Sequence, residues 1–235
     1  MLNVENLSAG YGSMKVLWDL SFHVDDGEVV SILGGNGAGK TTIVRALTGL
    51  IKPWSGSVQF DGQELAGKNS TKILEAGVVQ VPEGRQLFVD MTVYENLELG
   101  AFSKEAQARM QEQLKLIYKW FPILEERKSQ LAGTLSGGEQ QMVAVSRGIL
   151  SLPKLIIFDE PSLGLAPNIV DQILKVAKSL AKDQGLSVIL VEQDVRKALK
   201  VSDRGYVVEN GSIVLEDTAE SLLVNEEVKK AYLGF

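Results

Sequence analysis

The sequence predicts an α/β protein with a mainly parallel sheet, an antiparallel β part at its amino end and an inserted helical subdomain. Three observations predict it. "EVVSIL" (28–33), "KLIIFDE" (154–160) and "VILVEQD" (188–194) contain near-continuous apolar runs, interrupted only by Ser31 in the first, the pattern of strands buried on both faces. A glycine-rich stretch, "GGNGAGKT" (34–41), stands between the first run and a helical pattern. Lys40 in that stretch is 119 positions from Asp159 at the end of the second run, too many for one or two crossovers, so a segment is inserted between them.

The elements follow in order. Residues 2–7 and 14–34 read as strands, with turns at Gly10-Tyr11-Gly12 and Asp25-Asp26-Gly27. Helical pattern follows at 40–50. "SVQFDG" (57–62) is a short strand, and "GVVQVP" (77–82) is an apolar run stopped by Pro82, with Gln80 inside it. From about 92 to 131 apolar residues recur at three- and four-residue spacing, so this stretch is mostly helix. Another helix begins near Ser136 and runs to about 151. The strand at 154–160, a helix at 168–184, the strand at 186–191 and a short helix at 195–201 complete the core. "GYVVENGSIVLED" is a hairpin whose Asn210-Gly211 fits a type I′ turn. Residues 218–232 are helical. The expected organisation is one domain, with core residues 1–84 and 152–235 and a helical subdomain at about 85–151.

Bulk properties narrow the function. With 24 basic and 30 acidic residues the formal charge is −6, which argues against a nucleic-acid partner. The absence of cysteine excludes disulfides and thiolate metal sites, and fits a reducing compartment. "MLNVENLSAG" lacks the basic and apolar regions of a signal peptide. No apolar run approaches the roughly 20 residues that span a bilayer. A membrane connection is therefore expected to come through a partner.

"GGNGAGKT" matches the phosphate-binding P-loop pattern in its required setting, between a strand and a helix. Backbone N–H groups of Gly35, Asn36, Gly37, Ala38 and Gly39 can close around phosphates at a helix amino terminus. Lys40 would reach the β- and γ-phosphates, Thr41 would ligate Mg²⁺, and Thr42 would lie near the α-phosphate. Asp159, ending a buried strand, suits Mg²⁺ held through water. Glu160 follows directly and can point toward the water that attacks the γ-phosphate. "LSGGEQQ" (135–141) has the makings of a second anion site: Ser136, the backbone of Gly137 and Gly138, and a helix amino terminus. Ser136 and Glu139 also form a capping-box pattern, and both readings can hold at once. A second protomer could bring this site onto the P-loop more easily than the same chain could.

Together, "GGNGAGKTT", "LSGGEQQ" and "LIIFDEPSLGLAP", in this order, resemble the nucleotide-binding subunit of ABC transporters along the whole chain. The resemblance implies a P-loop ATPase using ATP and Mg²⁺. It also implies a head-to-tail dimer in which each P-loop meets the opposite protomer's Ser136, Gly137, Gly138 and Glu139. Tyr11 matches the aromatic position that stacks on adenine. Gln193 matches a position where most of these ATPases carry a γ-phosphate-contacting histidine. The only histidine, His23, reads as a plain sheet residue. Glu192 reads as structural, and Asp194 as a helix N-cap. Glu83 stands where the family usually has a Mg²⁺-ligating glutamine, and Ala166 where it has aspartate.

"VPEGRQLF", "MTVYENLELGA", "EPSLGLAP", "LVEQD" and "VKKAYLG" resemble the LivF-type ATP-binding subunit of branched-chain (hydrophobic) amino acid importers. Related amide and urea importers use similar subunits. The resemblance implies a second ATPase subunit (a non-identical one, a homodimer being the alternative), two transmembrane permeases and an extracytoplasmic binding protein. It places the chain on the cytoplasmic face of the inner membrane. An exporter subunit and a low-turnover ATP-gated clamp remain alternatives. Glu160 argues against the clamp.

Overall fold

A computed structural model describes residues 1–233. Two sheets share its core. A four-stranded antiparallel sheet has the order β2-β1-β4-β5, formed by β1 (Leu2–Tyr11), β2 (Met14–Val24), β4 (Ser55–Phe60) and β5 (Gln63–Glu64). A six-stranded sheet runs β10-β9-β3-β8-β7-β6. Its strands are β3 (Val29–Leu33), β6 (Val78–Val81), β7 (Leu155–Asp159), β8 (Ser187–Glu192), β9 (Arg204–Glu209) and β10 (Ser212–Thr218). β6, β7, β8, β3 and β9 are mutually parallel, and β10 closes the edge antiparallel to β9.

The runs show no polar alternation because both faces of this sheet are covered. Successive side chains of a strand point to opposite faces. Leu33, Ile156, Phe158, Val188 and Leu190 join one apolar cluster. Their neighbours Ile32, Leu155, Ile157, Ile189 and Val191 join the other. The first cluster takes in helices α3 (Val93–Glu98), α4 (Lys104–Trp120), α5 (Pro122–Glu126), α6 (Gly137–Leu150) and α7 (Pro167–Gln184) through Leu97, Leu114, Leu124, Val143 and Leu174. The second packs the sheet against α1 (Lys40–Leu47) and the antiparallel sheet through Ile43, Leu17 and Phe60.

Several boundaries differ from expectation. β1 continues through Gly10 and Tyr11, and the turn is at Gly12-Ser13. Glycine at 10 answers a close strand approach, because a Cβ there would stand 2.0 Å from the Met14 carbonyl oxygen. α1 stops at Leu47, three residues early, before the left-handed Gly49 (φ 71°). α2 (Ser70–Ala76) was not expected; its Asn69 cap accepts from the Lys72 N–H, and only Ile73 of the helix is buried. The type I′ hairpin is present, with Asn210 at φ 48° and Gly211 at φ 78°. After α8 (Val195–Leu199), the carboxyl end forms α9 (Ala219–Val224), α10 (Glu226–Val228) and a last helical turn at Lys229–Leu233. Gly234 of "VKKAYLG" lies outside the described residues.

Candidate nucleotide site

The six-stranded sheet gathers the P-loop, Asp159, Glu160, Glu83 and Gln193 at the carboxyl ends of its parallel strands, where open α/β sheets bind ligands. A cleft of about 510 Å³ is lined by Tyr11, Gly35, Asn36, Gly37, Ala38, Gly39, Lys40, Thr41, Thr42, Glu83, Glu160 and Gln193. Gly39 is the N-cap of α1 at φ 111°, a left-handed conformation that L side chains rarely adopt. This turn brings Lys40 back over the loop, where its Nζ donates to the carbonyls of Gly34 (2.9 Å) and Gly35 (3.2 Å).

Tyr11, at the end of β1, stands at the rim and is 38% exposed. Its hydroxyl is 3.4 Å from the Thr42 hydroxyl and accepts from Arg45 Nη1 at 3.1 Å. The Arg45 guanidinium lies 5.8 Å from the ring centroid. The ring is thus held at the mouth of the cleft by two residues of α1.

Acidic residues occupy the opposite wall. Lys40 Nζ is 3.2 Å from Glu160 Oε1. Glu160 has φ 46°, unusual for a non-glycine residue, and its N–H donates to the Val191 carbonyl at 2.9 Å. Strain of this sort clusters at functional sites. Asp159 is 5% exposed and faces an adjoining hollow of about 280 Å³ with Thr41, Gln80 and Glu83. Burial, and then the charges of Glu83 and Glu160, push its carboxyl up to about 6. A hydrogen bond from Gln80 and the charge of Lys40 act the other way.

Glu192, at the end of β8, is 2% exposed. Its carboxylate accepts from both the N–H (3.1 Å) and the hydroxyl (2.9 Å) of Ser162, two residues beyond Glu160. Burial pushes it up to about 6 against those bonds. Asp194 caps α8, accepting from the Lys197 N–H at 3.1 Å. Ala166 is the N-cap of α7 and supplies no side-chain hydrogen bond. His23 pairs with Tyr206 in the sheet region, with the Tyr206 hydroxyl donating to its carbonyl at 3.2 Å.

Ser136, Gly137, Gly138 and Glu139 do not line the cleft. They form the first turn of α6 with both bonds of a capping box. Ser136 N–H donates to Glu139 Oε2 at 2.8 Å, and Arg127 lies 3.3 Å from Glu139 Oε1. Gly137 leaves room for Arg85, whose Nη2 would be 3.0 Å from any Cβ at that position.

Two features were not foreseen. Gln80, read only as a strand residue, reaches Asp159: its Nε2 donates to Oδ2 at 3.1 Å. The signal was one amide in an otherwise all-valine strand. No local sequence pattern pairs Ser162 with Glu192.

A glycine loop between β3 and α1, faced by two acids at the end of β7, defines a P-loop nucleotide-binding domain. Comparison with known proteins narrows the class. Residues 17–163 match the family model described as "ABC transporter". The high-affinity branched-chain amino acid transport ATP-binding protein BraG of Pseudomonas aeruginosa is 46% identical over 234 residues, covering 100% of both chains. The lipopolysaccharide export system ATP-binding protein LptB of Haemophilus influenzae is 34% identical, covering 100% of this chain and 97% of its own. Among solved structures, the ADP conformation of MJ1267, an ATP-binding cassette of an ABC transporter, superposes with TM-score 0.84 at 28% identity, covering 100% and 99%. The chain belongs to the ABC transporter family, as one of its ATP-binding ATPase domains.

Proposed function

We propose that the chain is the ATP-hydrolysing subunit of an importer for branched-chain or hydrophobic amino acids. The observation that carries this reading is the full-length 46% identity to BraG. In it, the loop from Gly35 to Gly39, with Lys40 and Thr42, cradles the triphosphate, and Tyr11 stacks on adenine. Glu160 orients or deprotonates the attacking water. Gln193 donates its amide to the γ-phosphate. Ser136, Gly137, Gly138 and Glu139 face the nucleotide of a second ATPase subunit, non-identical in the arrangement we favour.

The donor set suits Mg²⁺. Thr41, Asp159 and Glu83 offer hard oxygen atoms, and Mg²⁺ sites use one or two carboxylates together with substrate phosphates. Burial, and then the charges of Glu83 and Glu160, raise the Asp159 carboxyl to about 6 despite Lys40, a cost to the ionised form that a dication would relieve. When bound, Mg²⁺ neutralises charge on the phosphates. Thr41, Asp159 and Glu83 would hold it. Among the described residues, no three acidic or histidine side chains form a ready-made cage.

Among the described residues, no helix is long and apolar enough to cross a membrane. The proposed location, the cytoplasmic face of the inner membrane, therefore rests on permease partners. We divide the domain into a core (1–84 and 152–235) and a helical subdomain at about 85–151. An open groove of about 490 Å³ where the two meet supports docking there. Phe88 (55%), Leu99 (44%) and Phe102 (50%) are exposed along it. The proposed occupants are two permease subunits, with an extracytoplasmic binding protein beyond them.

The likeness to LptB favours a second reading, an exporter subunit. One experiment separates the two. The complex is reconstituted in vesicles with its permeases and binding protein, and ATPase activity and solute flux are followed. Leucine, isoleucine or valine should stimulate hydrolysis and accumulate with it. Stimulation by urea or amides alone overturns the substrate class, and solute movement in the other direction overturns import.

A further inference from the structure

We propose that Gln80 is a positioning residue for the metal acid: its amide fixes the Asp159 carboxylate so that the other oxygen faces the nucleotide-bound Mg²⁺. This rests on the reading of Asp159 given above. Gln80 lies on β6, where it pairs with Ile157 of β7, two residues before Asp159. From there its side chain runs toward the carboxyl ends of the strands and donates to Asp159 Oδ2 at 3.1 Å. The orientation of the amide follows from chemistry. An ionised carboxylate only accepts hydrogen bonds, so the NH₂ end of Gln80 must face it.

Gln80 is half-buried on the edge strand of the sheet, where a polar residue could also be left to solvent; here its amide is turned to Asp159. The strand neighbours of Gln80, Val78, Val79 and Val81, are buried and apolar, and β6 pairs with β7 along its length. A glutamine there gives up an apolar contact and takes a half-buried amide into the sheet. The hydrogen bond to Asp159 offsets that cost. It also answers a local problem. Asp159 shares its hollow with Glu83 and directly precedes Glu160 in the chain, and a carboxylate repelled by two others would turn away from them. Holding Oδ2 in the sheet leaves Oδ1 as the free oxygen. Hydrogen-bonding groups behind a metal ligand typically contribute 10- to 100-fold to metal affinity.

The test measures the Mg²⁺-dependent part of nucleotide binding on the full chain. A fluorescent ATP analogue is titrated in EDTA and then at increasing MgCl₂. Gln80→Met preserves shape and removes the donor. Gln80→Asn keeps an amide one methylene too short to reach, and serves if the methionine variant does not fold. Asp159→Asn is the reference. Both Gln80 variants should raise the half-saturating Mg²⁺ concentration about tenfold or more. They should also shrink the ratio between affinity in Mg²⁺ and affinity in EDTA. A loss of general stability would weaken both affinities and leave that ratio alone. Wild-type Mg²⁺ curves for the Gln80 variants, beside a shifted Asp159→Asn, overturn the positioning role and leave Asp159 as the metal acid. An unshifted Asp159→Asn overturns the reading of Asp159 itself.

Discussion

Lys40 Nζ and Glu160 Oε1 stand 3.2 Å apart across the mouth of the P-loop, so one cation faces both the loop carbonyls and the acid at the end of β7. In the proposed function, Lys40 of this pair faces the phosphates and Glu160 the attacking water. Groups that position or deprotonate water contribute about 10²- to 10⁴-fold, or roughly 3–5 kcal/mol of barrier. Glu160→Gln should remove nearly all turnover and retain ATP in equilibrium binding. Hydrolysis at the wild-type rate would take Glu160 out of the mechanism.

Gln193 makes a different kind of prediction, because an amide does not titrate. Between about pH 6 and 8 the rate should show no step assignable to residue 193, whereas Gln193→His should introduce one near the ordinary imidazole value of about 6.5. In the proposed function Gln193→Ala removes a hydrogen bond to the γ-phosphate, and a bond to a charged group is worth roughly 1.5–3 kcal/mol. ATP affinity in the assembled complex should therefore fall by more than ADP affinity. Equal losses for the two nucleotides would show that the side chain does not meet the γ-phosphate.

Glu192 should govern stability against pH. Its folded-state value of about 6 lies above the ordinary 4.5. The folded chain therefore holds the proton more tightly, and this contribution is full below about 4.5 and lost as pH rises through about 6. The loss is on the order of 2 kcal/mol. Glu192→Gln keeps an acceptor for the Ser162 N–H and offers its amide to the Ser162 hydroxyl, so the bracket survives without the charge. Denaturant unfolding of both proteins should diverge in favour of the variant from pH 5.5 to 7.5. A constant difference across that range would mean the carboxylate does not change charge there.

Ser136 should show two separable effects. As N-cap of α6 it accepts from the Glu139 N–H, and losing such a cap costs about 1 kcal/mol. That cost should appear in the isolated chain of Ser136→Ala. Failure of ATP-driven closure should appear only with the second ATPase subunit present. Normal closure in the assembled complex would leave Ser136 with its capping role alone.

The parts of the fold that were legible are those fixed by local chemistry. β3, β7 and β8 announce themselves because both of their faces are buried, leaving no polar alternation. The start of α6 is visible in Ser136 and Glu139, three apart. α2 was hidden because a seven-residue helix burying one apolar side chain leaves no periodic trace. The strand end at Gly10 and Tyr11 looks like a turn in sequence, because the glycine that relieves a backbone contact there is also a turn residue. Within the site, Lys40, Thr41, Asp159 and Glu160 were legible from motif spacing. The links from Gln80 to Asp159 and from Ser162 to Glu192 span 79 and 30 positions. Only the strand order β8-β7-β6 makes them neighbours.

Leu33, Phe158 and Leu190 of the six-stranded sheet lie in the same apolar cluster as Leu97, Leu114 and Leu124 of the helices between β6 and β7. Neither group can melt without stripping cover from the other. Heating the chain should therefore give a single calorimetric peak whose measured and van't Hoff enthalpies agree, the signature of one cooperative unit. A protease that nicks a loop between those helices should find no trimmed, still-folded remnant to leave behind.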